Sequence, residues 1–81
     1  MNSVEQRVRE IITSHVDVSV DMDKVKNNSY LDTIGVNSIN FIRSVLDLES
    51  EYTIEFDIDM LGFDSFETFG NLVKYVEQKI S

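Results

Sequence analysis

The sequence predicts an all-α fold: a four-helix bundle with a long loop between its first and second helices and a short third helix. Three observations lead there. Three stretches space their apolar residues at helical intervals. Serine, asparagine or threonine stands where each of those stretches begins, as N-caps do. The chain also contains no proline, internal repeat or low-complexity tract to interrupt them.

The first helix is expected from about Val4 to His15. Ser3 and Gln6 have capping-box spacing. Val4, Val8, Ile11 and Ile12 then share one face, while Glu5, Arg9, Glu10 and Thr13 lie opposite. Residues 16–37 read as a long ordered loop. Val16, Val18 and Val20 alternate with polar residues as a strand would, but no partner strand is in sight, and Tyr30, Leu31 and Ile34 are expected to anchor the segment in the core. A connection of this length in a small domain is often functional. The second helix is expected from Asn37 or Ser38 to about Tyr52. Its core stripe is read as Ile42, Val45, Leu46 and Tyr52, widened by Ile39, Phe41 and Leu48. Its wet face is read as Asn40, Arg43, Ser44, Asp47 and Glu51.

Ile54, Phe56 and Ile58 alternate in a second connection. A short helical turn is expected around Asp59 to Leu61, capped by Asp57 or Asp59 and ended by Gly62. Phe63 and Phe66 should plug the end of the bundle. The last helix is expected to follow the Thr68 N-cap and run to about Ile80, burying Phe69, Leu72, Val73, Val76 and Ile80. Lys74 and Lys79 lie toward its negative end, where cations are favoured.

At 81 residues, positions 1–81 read as a single domain, and 42% hydrophobic content supports a folded one. Seven basic residues face fifteen acidic ones, a net charge of -8. That balance argues against a nucleic-acid ligand, whose phosphates demand a basic surface. It favours association with basic patches on protein partners, or serves solubility alone. No run approaches the ~20 apolar residues of a membrane span. The charged start MNSVEQRVRE does not resemble an export signal, so the cytosol is the expected compartment and a monomer the expected state. Without cysteine, disulfides and thiolate metal ligands are excluded.

The segment Ile34-Gly35-Val36-Asn37-Ser38-Ile39-Asn40-Phe41-Ile42 carries the chemistry. A glycine turn delivers a serine to the start of an amphipathic helix. With Asn37 as the N-cap, the Ser38 hydroxyl is free to face solvent. Free backbone N–H groups and the positive helix end beside it suit a phosphodiester. Serines at helix starts are commonly caps and no more, yet the surrounding residues favour the functional reading. Gly35 can be a turn glycine and present the serine at once. Ile39 is read equally as core or as a surface contact.

Gly35-Val36-Asn37-Ser38-Ile39 resembles the attachment motif of the acyl and peptidyl carrier protein family: a glycine, a spacer, an acidic or polar residue, the modified serine, then Leu or Ile. The stretch from Thr68 to Val76 is similar to that family's final helix, and the resemblance extends over nearly the whole chain. It implies a non-catalytic carrier. A phosphopantetheinyl transferase would move 4'-phosphopantetheine from coenzyme A onto Ser38, with Gly35, Asn37 and Ile39 supporting the site. The arm's thiol would hold acyl or aminoacyl groups as thioesters for loading and processing enzymes. Ile39, Asn40, Arg43 and Asp47 would be read by those partners.

The chain departs from the family pattern at Asn37, Asn40 and Arg43, positions that are commonly acidic, and has Phe56-Asp57 where a proline is frequent. These departures point to a polyketide, nonribosomal peptide or similar specialised pathway. A fatty-acid synthesis carrier and an unmodified helical interaction module are the alternatives. The position of Met1 and the end of the last helix suit a free-standing carrier, and equally an excised domain.

Asp17, Ser19, Asp21 and Asp23 invite a calcium-loop reading, but Met22 stands where the loop needs glycine and Asn28 where it needs glutamate. His15, without a second histidine, reads as a capping or surface residue. Glu51, Glu55 and Asp57 are expected to be solvated. No catalytic triad, carboxylate pair or phosphate-cradling glycine loop is present to support an enzyme reading.

Overall fold

In the computed structural model, which describes residues 3–81, the helical periods become three α-helices: α1 (Ser3–His15), α2 (Ser38–Tyr52) and α3 (Phe69–Ile80). Short 3-10 turns occupy the connections at Met22–Lys24, Leu31–Ile34, Ile58–Met60 and Phe63–Ser65. The side chains of Ser3 and Phe63 lie outside the described residues, and with them the expected Ser3 cap and Phe63 plug.

α1 buries Val8, Ile11 and Ile12, with Val4 packed against the same core. Arg9, expected on the wet face, is a correction. Its Nε donates to the Val25 carbonyl at 3.0 Å, its Nη2 pairs with Glu5 at 2.8 Å, and its guanidinium lies 5.1 Å from the centre of the Phe69 ring. The long aliphatic stem and flat cation allow Arg to bridge helix, loop and aromatic face together.

The connection over residues 16–37 is irregular and carries two of the 3-10 turns. Leu31 and Ile34 are buried, as are Val25 and Val36, which the sequence pattern did not single out. Tyr30 is a correction, since its side chain is exposed. Its backbone instead forms an isolated antiparallel bridge with Thr68. The Phe69 N–H donates to the Ser29 carbonyl at 2.8 Å, the Gly70 N–H to the Asn27 carbonyl at 2.9 Å, and the Leu31 N–H to the Glu67 carbonyl at 3.3 Å. Loop carbonyls thus satisfy N–H groups that the start of α3 would otherwise leave unpaired. Thr68 and Asn71 complete the cap reciprocally.

α2 corrects the expected stripe. Phe41, Val45 and Leu48 are buried and Tyr52 packs against the core, whereas Ile39, Ile42 and Leu46 are exposed and Asn40 and Ser44 are buried. At about 100° per residue, the apolar residues fall into two arcs. One holds 41, 45, 48 and 52, the other 39, 42 and 46. Periodicity could not say which arc faces inward. Local hydrogen bonding does: Asn40 and Ser44 bond to backbone carbonyls, so the arc beside them can be buried. The helix ends at Thr53 in the left-handed region, φ 54°.

The short helical turn expected around Asp59 to Leu61 forms as the 3-10 turn Ile58–Met60, and a second 3-10 turn follows at Phe63–Ser65. Asp57 occupies the N-cap position of the first turn without a side-chain capping bond. Its carboxylate instead accepts from the Tyr75 hydroxyl at 2.9 Å and from Lys79 at 3.1 Å, so it is not simply solvated. The Tyr75 oxygen also accepts from the Asp57 N–H at 2.9 Å. Glu51 is likewise engaged, by Arg7 at 3.1 Å. Gly62 stays outside the positive-φ region and does not act as a left-handed terminator. Phe66 packs with Phe41, Phe56 and Tyr75 at ring separations of 5.9, 6.3 and 5.3 Å, closing one end of the bundle. On α3, Phe69, Leu72, Val73 and Val76 are buried; Ile80, expected with them, is exposed at the last turn.

A Cβ on Gly70 would sit 2.7 Å from the Asn27 carbonyl oxygen and 3.2 Å from the Asn27 Cα, both backbone atoms. Gly70→Ala should therefore destabilise the fold by about 1–3 kcal/mol in urea melts, despite the roughly 1 kcal/mol helix preference of alanine.

The Tyr75 hydroxyl and then the Lys79 ammonium hold the Asp57 carboxyl below its ordinary pKa. Its contribution to stability is present above the ordinary carboxylate pKa and is lost as pH falls through the lowered one. Asp57→Asn should lower the urea midpoint at neutral pH, and the gap to the parent should close below the carboxylate range.

Candidate functional site

The turn before α2 is built by two conformational demands. The 3-10 turn Leu31–Ile34 ends at Gly35, whose φ of 93° lies in the left-handed region. A Cβ there would also lie 2.7 Å from Val18 Cγ2, so glycine meets both the dihedral and the close approach. Val36 then buries its side chain, and its N–H donates to the Leu31 carbonyl at 3.1 Å. Asn37 is extended and is the N-cap of α2.

The cap is made by two amides. Asn37 Oδ1 accepts from the N–H groups of Ile39 and Asn40, each at 2.9 Å. Asn40 Oδ1 accepts from the Asn37 N–H at 2.8 Å, closing the box. Asn40 Nδ2 donates to the Gly35 carbonyl at 3.0 Å. Free N–H groups expected beside Ser38 are thus partly engaged: Asn37 holds two of them. The helix dipole remains, and no acidic side chain stands in the first turn of α2.

Ser38 is the first residue of α2 and is exposed. Among the described residues no hydrogen bond engages its hydroxyl. A neighbour does the capping, so the hydroxyl is left available for chemistry. An exposed hydroxyl at a positive helix end, without a carboxylate beside it, fits the monoanionic phosphodiester that 4'-phosphopantetheine forms with serine.

The residues expected to meet partners separate. Ile39 is 69% exposed, which decides its open reading in favour of the surface. Arg43 is exposed on the same helix. Asp47 is exposed, but its Oδ2 is 2.5 Å from His15 Nε2, so this pair ties the end of α1 to α2. Asn40 is a correction: it is only 4% exposed, because its amide is used inside the cap. It cannot be read directly by a partner.

Ile42, Leu46 and Ile58 are exposed, Ile58 by 89%, and sequence reasoning did not place them at the surface. Ile42 and Leu46 continue from Ile39 along α2. With Phe56, Ile58 and Leu61 they line a shallow apolar groove that also takes in the carboxylates of Glu49 and Glu55. The available signal was the second apolar arc on α2. The Asn37-x-x-Asn40 spacing, a capping box with amides, would have chosen between the arcs.

Asp21 accepts from the Asp23 N–H as a local cap. Among the described residues no group of three or more histidine, cysteine or carboxylate side chains is placed to hold a metal ion. Nor is any described helix long and apolar enough to cross a membrane.

Comparison with known families agrees with the helical architecture. A family model described as a phosphopantetheine attachment site matches residues 6–76, which takes in both connections, all of α2 and most of α1 and α3. This chain therefore belongs to the phosphopantetheine-attachment family of acyl and peptidyl carrier proteins, whose covalently bound cofactor is 4'-phosphopantetheine.

Proposed function

We propose that Ser38 is the attachment residue, and that the chain carries acyl or aminoacyl intermediates between enzymes of a polyketide, nonribosomal peptide or related specialised pathway in the cytosol. The observation that carries this reading is the exposed Ser38 hydroxyl at the start of α2, relieved of capping by Asn37. In the modification, Ser38 Oγ attacks the coenzyme A phosphorus bonded to the pantetheine oxygen. A Ser38 O–P bond forms as the P–O bond to adenosine 3',5'-bisphosphate breaks, and the hydroxyl proton passes to a base of the transferase. The bound cofactor supplies a terminal thiol that holds the cargo as a thioester.

The protein's own contribution is presentation. Gly35 and Asn37 aim Ser38 outward, and the family's covalent chemistry needs no catalytic group from this chain. Ile39, Arg43 and Asp47 are proposed as recognition residues, with Ile42 and Leu46 extending their surface. Arg43 bears on the pathway. A cation on a face approached by basic partner patches weakens encounter with them, and favours partners that present an anion there. That supports a dedicated set of partners over bulk fatty-acid synthesis.

Ser38→Ala should keep helical circular dichroism and a cooperative melt, losing only a few tenths of a kcal/mol, while accepting no arm. Asn37→Ala should lose about 1 kcal/mol and still be modified. Intact mass after incubation with coenzyme A and a broad-specificity transferase, read beside thermal melts, tests both. A parent mass unchanged with several transferases would leave an unmodified helical interaction module as the reading. A Ser38→Ala variant that still gains mass would place the arm elsewhere.

Arg43→Glu should raise loading and turnover by fatty-acid synthesis enzymes and lower them with the native partners. Rates that are equal for both forms with both enzyme sets would reduce Arg43 to a solvated surface residue.

A further inference from the structure

The buried polar residue nearest the site is Asn40, and the demands on its side chain are unusual. It must accept and donate in fixed directions at once: Oδ1 receives the Asn37 N–H at 2.8 Å, while Nδ2 gives a hydrogen bond to the Gly35 carbonyl at 3.0 Å. The two partners belong to the turn Gly35–Asn37, directly ahead of Ser38. Gly35 adopts its φ of 93° without strain but is equally free to leave it, so the direction of the turn depends on the bonds around it. Asn40 is itself fixed from behind: its carbonyl accepts from the buried Ser44 hydroxyl at 2.9 Å. A capping box needs only the acceptor half of this arrangement, and glutamate or glutamine commonly serves. The donor half does something further. It locks the glycine turn to the first turn of the helix.

We infer that Asn40 is a positioning residue for phosphopantetheine transfer: through Gly35 and Asn37 it sets the direction in which α2 presents the Ser38 hydroxyl. The inference rests on the proposal that Ser38 is the attachment residue. Asn40 touches neither coenzyme A nor the reacting atoms. Its effect lies in the aim of the nucleophile, and small misplacement of a nucleophile is costly to rate. The recognition residues Ile39 and Arg43 point into solvent and do not depend on the Asn40 amide. Carrier docking is therefore expected to survive its loss.

Asparagine and aspartate have the same shape, which makes the donor testable by itself. In Asn40→Asp, a carboxylate can still accept from the Asn37 N–H but sets an anionic oxygen against the Gly35 carbonyl. Once protonated, its O–H can donate to that carbonyl and restore the arrangement. The test is steady-state phosphopantetheinylation, with the carrier as varied substrate and rates expressed as variant over parent across a pH series. At the alkaline end kcat should fall by about 10- to 100-fold, with KM for the carrier little changed. The ratio should recover as pH falls and the buried carboxyl protonates.

Loss of fold alone would give another pattern, a raised KM for the carrier and a retained kcat, since fewer molecules would be competent to dock. Asn40→Ala provides a second variant should aspartate prevent folding at high pH. It should show the kcat loss without any recovery on acidification. A folded Asn40→Ala with parental kcat, or an Asn40→Asp ratio that does not change with pH, overturns the positioning role while Ser38 modification stands. A parent that accepts no arm overturns the carrier reading, and this inference with it.

Discussion

The connection over residues 16–37 is tied to the start of α3 by main-chain hydrogen bonds, and the turn before Ser38 depends on that tie. Few of its residues bury a large side chain, so packing alone would leave it loose. The Ser29 and Asn27 carbonyls instead complete the hydrogen bonding at the start of α3, and Glu67 receives the Leu31 N–H. Each side supplies what the other lacks: α3 has N–H groups without intrahelical partners, and the loop has carbonyls without a ladder. From that fixed point the order of dependence is short. Leu31 and Ile34 are held in the core, the 3-10 turn between them ends at Gly35, and Gly35 delivers Asn37 to cap α2. Arg9 adds a strut from α1 to the Val25 carbonyl.

Neutral amides recur at the two helix starts that matter. α2 begins with the Asn37 and Asn40 pair, α3 with Thr68 and Asn71, and both boxes are closed in both directions. A carboxylate at position 37 would interact more strongly with the helix dipole. With Ser38 modified as proposed, it would also stand next to the phosphodiester and oppose its charge. The amide gives up some of the dipole interaction and avoids that repulsion. The acidic surplus of the chain, -8 overall, therefore resides elsewhere on the surface. The first turn of α2 has no acidic side chain.

The helices and their caps were legible in the sequence because they depend on local signals. Thr68 and Asn37 are N-caps as their residue types predicted, and α2 and α3 end where the apolar period stops. What was not legible depended on non-local choice. Seven apolar residues on α2 form two arcs, and hydrophobicity gives each a claim on the core. Only the hydrogen bonds of Asn40 and Ser44 reveal that the arc beside them is buried. The short third helix forms only as a 3-10 turn, and its cap was misread for a similar reason. Asp57 looked like its cap, but Tyr75 and Lys79, distant in sequence, take the carboxylate. Tyr30 and Arg9 reversed their expected exposures because backbone pairing, in one case, and a bridging guanidinium, in the other, outweighed side-chain polarity. At the site, the Gly35 turn and the Asn37 cap needed only local geometry to be read. The assignment of Asn40 to partner recognition did not survive, since exposure is not a local property.

The exposed arc is the costly part of this architecture. Ile39, Ile42, Leu46 and Ile58 remain outside the core, although burying each such side chain would contribute roughly 1.5–3 kcal/mol. A domain of 81 residues has little stability to spare. Folding demands alone would favour polar residues at these positions, which also resist aggregation. Three of the four are on one face of α2, beginning one residue after Ser38, and two of these, Ile42 and Leu46, line a groove with Ile58, Glu49 and Glu55. A carrier must meet each of its enzymes briefly and let go. A small apolar strip with a charged fringe suits such brief encounters. In the proposed reading the strip would supply contact energy, while Arg43 and the surrounding carboxylates would decide which surfaces are approached. The phase of α2 that periodicity misread is thus the same feature that leaves an apolar surface beside the serine. The polar residues that turn it outward, Asn40 and Ser44, are the ones that fix the turn. The Asn40 amide holds the turn ahead of Ser38, and the exposed arc lies beyond it along the helix.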